Sequence, residues 1–143
     1  MNPNAPRINT ELQVMFFDTD CGGVVHNIAY LRFIETARTL LAEKLGLKLV
    51  EMAETQQYPV VVRTEIDYRR GARLGDRLRV DGWLDGVKRA RFWCAFEIRR
   101  IGDEALIAEC RQMLALIQMP GAKLLPLPEG WARYRVPDSA ASR

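Results

Sequence analysis

From Ile8 to Phe17 apolar and polar residues alternate, with Leu12, Val14 and Phe16 in phase, which predicts a strand. The next ten residues, D-T-D-C-G-G-V-V-H-N (18–27), are dense in turn formers, and Gly22-Gly23 permits backbone angles closed to other residues. Over Ala29 to Leu45 the period changes. Leu31, Ile34, Ala37, Leu41 and Leu45 recur at three- and four-residue steps without a proline, and Gly46 supplies a stop, which predicts one long helix. A short helical piece over 49–54 leads to Tyr58. Four strand-like runs follow, at 60–68, 76–85, 91–99 and 105–118, separated by Gly71, Gly75-Asp76, Asp85-Gly86 and Gly102-Asp103 at hairpin spacing. Phe92, Cys94, Phe96 and Ile98 share one face, with Trp93 and Ala95 on the other; Leu106, Ala108 and Cys110 share a face of the last run. Its phase becomes ambiguous near Arg111–Met113, which predicts a β-bulge there. Pro120, Pro126 and Pro128 end the sheet, and 129–135 can add a helical turn. Residues 1–7 and 137–143 are expected to be disordered, leaving 8–136 as a single domain.

Hairpin-length connections force the last four strands to be antiparallel, so the order predicts an α+β fold with a five-stranded antiparallel sheet and one long helix. One helix cannot cover both faces of such a sheet. Trp93 and Ala95, projecting opposite the core row, predict contact with another subunit and hence an oligomer.

Composition narrows the function. Hydrophobic residues make up 48% and charged residues 27% of 143 positions, an ordinary globular balance. The net charge of +3 is too small to announce a nucleic-acid binder, and aromatics are too few for a base-stacking platform. No apolar run reaches the ~18 residues that span a bilayer, and the first residues lack the pattern of a secretory signal. Cys21, Cys94 and Cys110 form no paired motif and fit reduced thiols in a cytoplasm; with a single histidine, no metal site is expected.

Chemistry concentrates between Asp18 and Asn27. Two carboxylates two residues apart precede a glycine pair and then His26-Asn27 at the mouth of the helix. Such aspartates can simply initiate a turn or cap a helix. The first amides of a helix, however, lack intrahelical acceptors and sit at the positive end of its dipole. A carbonyl oxygen aimed there would be polarised, and a nearby carboxylate could attack its carbon or deprotonate a water. This is acyl-transfer chemistry without a Ser–His or Cys–His pair. Cys21, lacking a placed base, reads as a small loop residue, and Cys94 and Cys110 as core.

The stretch D-T-D-C-G-G-V-V-H-N-I-A-Y-L-R-F-I-E-T-A-R (18–38) resembles, without gaps, the signature of hotdog-fold acyl-CoA thioesterases of the 4-hydroxybenzoyl-CoA thioesterase type, including the Tol–Pal-associated branch. Weaker resemblance extends over I-D-Y-R-R-G-A-R-L-G-D-R-L (66–78) and P-L-P (126–128). It implies a hotdog fold, a curved antiparallel sheet wrapped around one central helix, in dimers or tetramers with active sites between subunits. It further implies Asp20 as nucleophile or general base and the Asn27 backbone N–H as the donor that polarises the thioester carbonyl. Gly23 matches the family glycine and Tyr30 the tyrosine opening the helix repeat, and both are expected to contact substrate. In the Tol–Pal-associated branch a histidine commonly stands seven residues after the catalytic aspartate. Here Asn27 stands there, His26 one earlier, and other branches carry Asn-Asn. His26 can orient the loop, contact substrate or shuttle a proton.

Asp18 is expected to bond loop amides, and Glu35 with Arg38 to form a salt bridge on one helix face. Arg69, Arg70 and Arg73 form one basic cluster and Lys88, Arg89 and Arg91 a second; either can hold coenzyme A phosphates or an acidic carrier protein. The expected activity is hydrolysis of an aliphatic or aromatic acyl-CoA thioester, or of its carrier-protein equivalent, without a cofactor, since coenzyme A is part of the substrate. The alternatives are a hotdog dehydratase acting on a hydroxyacyl thioester and a non-enzymatic acyl-CoA or carrier-protein binding module.

Overall fold

A computed structural model of the chain describes residues 4–135, so the expected loose segments at 1–3 and 137–143 lie outside the described residues. The helical repeat forms α1 (Asn27–Lys44), whose Ala29, Tyr30, Phe33, Ile34, Ala37 and Leu41 make the buried stripe. It ends as Gly46 predicts. Gly46, at φ +90°, donates to the Glu43 carbonyl and Leu47 to that of Ala42, the paired bonds of a Schellman cap. A second helix, α2 (Leu49–Thr55), follows.

The strands are β1 (Arg7–Gln13), β2 (Gln57–Tyr68), β3 (Arg77–Lys88), β4 (Arg91–Arg100), β5 (Leu106–Gln118) and β6 (Lys123–Leu125). All pairs are antiparallel, in the order β1-β3-β4-β5-β2. The five expected strands are therefore present, and the α+β hotdog fold with them. The sixth is a short addition that pairs with Leu116–Gln118 of β5, beyond the point where β4 has ended. Phe92, Cys94, Phe96 and Ile98 are all buried against α1, beside Leu78, Val80 and Leu84 of β3.

Four expectations shift. The first strand stops at Gln13 instead of Phe17, because a 3₁₀ turn at Phe16–Asp18 is closed by the Asp18 carboxylate on the Met15 N–H (2.9 Å). The ordered chain begins before residue 8: Ala5 is buried, the Pro6 carbonyl accepts from Leu84 and Arg7 opens β1. No bulge stands at Arg111–Met113 of β5; the extra residue lies in β2 opposite, where Val61 faces Leu114, Arg63 faces Met113 and Val62 is unpaired in the register. Finally, Arg111 stacks over Trp93 (4.2 Å) while bonded to Asp85 (2.9 Å), so part of the second sheet face is covered from within the chain. A 3₁₀ segment at Glu129–Tyr134 buries Trp131, whose indole N–H donates to the Leu45 carbonyl at the end of α1. No helix among the described residues is long and apolar enough to cross a membrane.

Candidate functional site

The segment from Asp18 to His26 folds back on itself as a miniature hairpin. Thr19 bridges Val25, the Asp20 N–H donates to Val24 (3.0 Å), Gly23 donates to the Asp20 carbonyl (3.2 Å) and His26 to that of Asp18 (3.1 Å). Gly22 and Gly23 turn the tip at φ +120° and +73°, where an L side chain is strained. A second set of bonds clamps the returning arm to 72–74: Val25 donates to Ala72, Leu74 donates to Gly23, and Val24 bridges Arg73. The strand before the hairpin is fixed at Val14, which donates to Asp76 and accepts from Gly75.

The two aspartates diverge. Asp18 is 2% exposed, accepts from Met15 and forms an ion pair with Arg32 of α1. It is structural, as expected. Asp20 is exposed, and its carboxylate has no hydrogen bond or ion pair among the described residues.

His26 is the N-cap of α1, its Nδ1 accepting from the Ala29 N–H (3.2 Å), which places its ring proton on Nε2. Asn27 is thus the first helical residue. Its N–H and that of Ile28 have no partner among the described residues, as the first turn of a helix requires. Three residues of extended arm, roughly 10 Å, separate Val24, which faces Asp20, from Asn27. A free carboxylate thus stands at one end of a rigid arm and free, dipole-reinforced amides at the other.

Tyr30 is 3% exposed and its hydroxyl accepts from the Ala72 N–H (2.9 Å), tying the start of α1 to the 72–74 strap. Burial raises the Tyr30 phenol above its ordinary 10.0, with the Ala72 bond opposing. The bond makes Tyr30 a positioning residue for the strap. Gly23 likewise spends both backbone groups, its N–H on the turn and its carbonyl on Leu74 of the strap.

The arginine clusters part company. Arg69 is held by Glu109 (2.8 Å), whereas Arg70 and Arg73 are exposed beside the hairpin with no ion-pair partner among the described residues. Lys88 and Arg89 occupy the tip of the β3–β4 hairpin, at the far end of the twelve-residue strand that begins just after the clamp, roughly 35 Å along it. Within one protomer they do not join Asp20, a correction that follows from strand direction.

Three features escape the sequence. Tyr68, at the end of β2, packs its ring at a tilt against Tyr30 (5.6 Å between centroids) and donates to the Asn27 carbonyl (3.4 Å). Its strand alternation carries no sign of that neighbour. Met15, Phe16, Phe17, Ile28 and Leu31 form an exposed apolar rim, with Phe16 81% exposed. Arg38 meets Glu35 (3.5 Å) as expected, but its shorter bond is to buried Gln112 (2.8 Å), which donates to Thr64. Cys94 and Cys110 are buried, which pushes both thiols up to about 12, while Cys21 is exposed.

Residues 14–134 match the family model for the thioesterase-like superfamily. The chain is 33% identical over 119 residues to the acyl-CoA thioesterase YbgC of Haemophilus influenzae, covering 82% of this chain and 86% of that one. It is 32% identical over 123 residues to a 1,4-dihydroxy-2-naphthoyl-CoA hydrolase of Synechocystis, covering 85% and 88%. Among solved structures, a 1,4-dihydroxy-2-naphthoyl-CoA thioesterase from Synechocystis superposes with a TM-score of 0.79 at 28% identity, over 90% of this chain and 94% of the other. A probable thioesterase from Bartonella henselae gives 0.77 at 25% identity, over 85% and 99%.

Proposed function

The chain belongs to the thioesterase-like superfamily, and we propose that it hydrolyses an acyl-CoA thioester with Asp20 as nucleophile or general base and the Asn27 N–H as oxyanion donor. The observation that carries this reading is the pairing of an unpartnered Asp20 carboxylate with unpartnered Asn27 and Ile28 amides across one clamped arm. With the Asp20 side chain extended back along the arm towards Asn27, a thioester carbonyl bound between them directs its oxygen at the helix start and its carbon at the carboxylate. Negative charge developing on that oxygen meets donors already in place, which lowers the barrier without reorganisation. In the base-catalysed form Asp20 takes a proton from water, which attacks the carbonyl carbon; in the nucleophilic form an acyl-aspartyl anhydride forms and is then hydrolysed. Both release the CoA thiolate, which takes up a proton, and neither calls on a cofactor.

Arg70 and Arg73, uncommitted and next to the arm, suit the phosphates of coenzyme A. A carrier-protein thioester would use the same carbonyl site. The outer edge of β2 has no partner strand among the described residues and carries exposed Val61 and Val62, and the apolar rim lies around the start of α1. Both features support a homodimer in which the rim is covered by a second copy.

Free-thiol release from an acyl-CoA panel tests the reading. The wild-type protein should turn over at least one member, and Asp20→Asn should lower kcat by about 100-fold or more, about 2.7 kcal/mol of barrier. A fully active Asp20→Asn protein would overturn the assignment. Water added to an enoyl-CoA with no thiol release would point instead to a dehydratase, and tight binding without turnover to a binding module.

A further inference from the structure

Tyr68 closes β2 beside the first turn of α1, and its backbone is fixed there. It pairs with Ala108, and the N–H groups of Arg69 and Arg70 after it both donate to the Ile107 carbonyl (2.8 and 3.1 Å). Its ring leans on buried Tyr30 at a tilt of 54°, yet the residue is 43% exposed. A rigid strand end thus presents a phenol to solvent at the mouth of the helix.

The hydroxyl is weakly held. Its contact with the Asn27 carbonyl is 3.4 Å long, beyond the roughly 2.5–3.0 Å of a good O–H···O bond. As the first helical carbonyl, that oxygen also serves the helix ladder, so turning the phenol proton elsewhere orphans nothing. The phenol also stays close to the proposed oxyanion donor. Bond lengths within one residue put the Asn27 nitrogen at most about 8 Å from the phenol oxygen.

The direction of the substrate follows from the chain. Tyr68 opens the segment that carries Arg70 and Arg73, the two arginines suited to the coenzyme phosphates. A thioester with its oxygen at Asn27 and its coenzyme arm along this segment turns its sulfur towards Tyr68. The other proton donor nearby, the His26 Nε2–H, belongs to the arm shared with Asp20.

The geometry points to Tyr68 as the acid that protonates the departing sulfur. The assignment rests on the hydrolase reading and supplies the source of the proton that the released thiolate takes up. As the tetrahedral intermediate collapses, the C–S bond breaks and its electron pair goes to sulfur. The Tyr68 hydroxyl proton passes to that sulfur, and free coenzyme A thiol leaves. The phenolate left behind stands beside the positive end of the α1 dipole and recovers a proton from solvent.

Two thioesters of one acyl group test this, because they differ in what must leave. The alkyl thiolate of coenzyme A departs poorly and gains from protonation, whereas 4-nitrothiophenolate departs without it. Thiol release is followed in a single turnover, which reads C–S cleavage and not product release. Tyr68→Phe should lower the rate on the CoA ester about tenfold or more, and that on the nitrothiophenyl ester by less than about twofold. Loss of a merely structural contact at Asn27 would weaken the oxyanion donor and slow both esters alike. That result, or an unchanged CoA-ester rate, overturns the assignment. If the wild-type protein cleaves the CoA ester but not the aryl ester, 3-fluorotyrosine at position 68, a more acidic phenol of nearly the same size, decides it. The alkaline limb of the CoA-ester profile should then move to lower pH, and an unmoved limb overturns the assignment. A wild-type protein that cleaves neither ester fails at the hydrolase reading, and the role of Tyr68 falls with it. Cleavage unimpaired in Tyr68→Phe keeps that reading and removes only the acid.

Discussion

Asp18 and Asp20 stand two residues apart, one carboxylate sealed against Arg32 and the Met15 N–H, the other open to solvent beside the start of α1. The same side chain therefore does two separable jobs. Asp18→Ala leaves the Met15 amide and the Arg32 guanidinium without their partner and should cost about 1–3 kcal/mol of stability. Asp20→Asn should leave the melting temperature within about a degree of wild type, since its carboxylate has no partner to lose among the described residues. Thermal unfolding of the two variants side by side checks this division.

His26 supports the helix through Nδ1, so His26→Ala should destabilise by about 1 kcal/mol, and His26→Asn or His26→Ser should restore most of it. If the imidazole serves only as a cap, the pH–rate profile of His26→Asn will match that of wild type. A changed profile would instead reveal proton transfer.

Removing the Tyr30 hydroxyl leaves the wholly buried Ala72 N–H without an acceptor, a loss of about 1–3 kcal/mol for Tyr30→Phe. The wild-type phenol also predicts an alkaline effect. Because it holds its proton in the folded state above pH 10.0, where the unfolded chain releases it, its contribution is complete below that pH and declines as pH rises beyond it. Denaturant unfolding between pH 9 and 11 should show a smaller decline in Tyr30→Phe than in wild type.

Only the exposed Cys21 should react with an aromatic disulfide reagent at pH 8 in the native protein; Cys94 and Cys110, pushed up to about 12, should react only after unfolding. Cys21→Ser should abolish the native reaction.

Arg70→Ala and Arg73→Ala should each raise KM for an acyl-CoA by about three- to tenfold with little change in kcat, and the penalty should shrink as salt rises. Steady-state kinetics at low and physiological ionic strength read this directly.

What could be read from the sequence was what depends on near neighbours. The spacing of Leu31 to Leu45 with Gly46 placed α1 to within two residues at its start and one at its end, and alternation in 91–99 put Phe92, Cys94, Phe96 and Ile98 on the core face. What escaped depends on distant partners. Arg38 meets Gln112 74 positions away, and Asp18 is sorted from Asp20 by Arg32 and by a 3₁₀ turn that the apolar alternation through Phe16 conceals. No bulge stands at Arg111–Met113: β5 keeps its alternation and its register with β4 there, and the extra residue is Val62 of β2, which only the partner strand could reveal. Strand direction likewise separates Lys88 and Arg89 from Arg70 and Arg73, though all are basic residues at turns.

The bond from Ala72 to the Tyr30 hydroxyl makes two ends of one molecule's berth move together. The strap that carries Arg73, with Arg70 just before it, is set against the same phenol that anchors the opening of α1. In the proposed function, the gap between an anionic handle and a reacting carbonyl is thereby gauged by a single oxygen atom. Loosening that atom's hold should blur the enzyme's sense of where along an elongated guest the cut belongs, even with every reacting group intact.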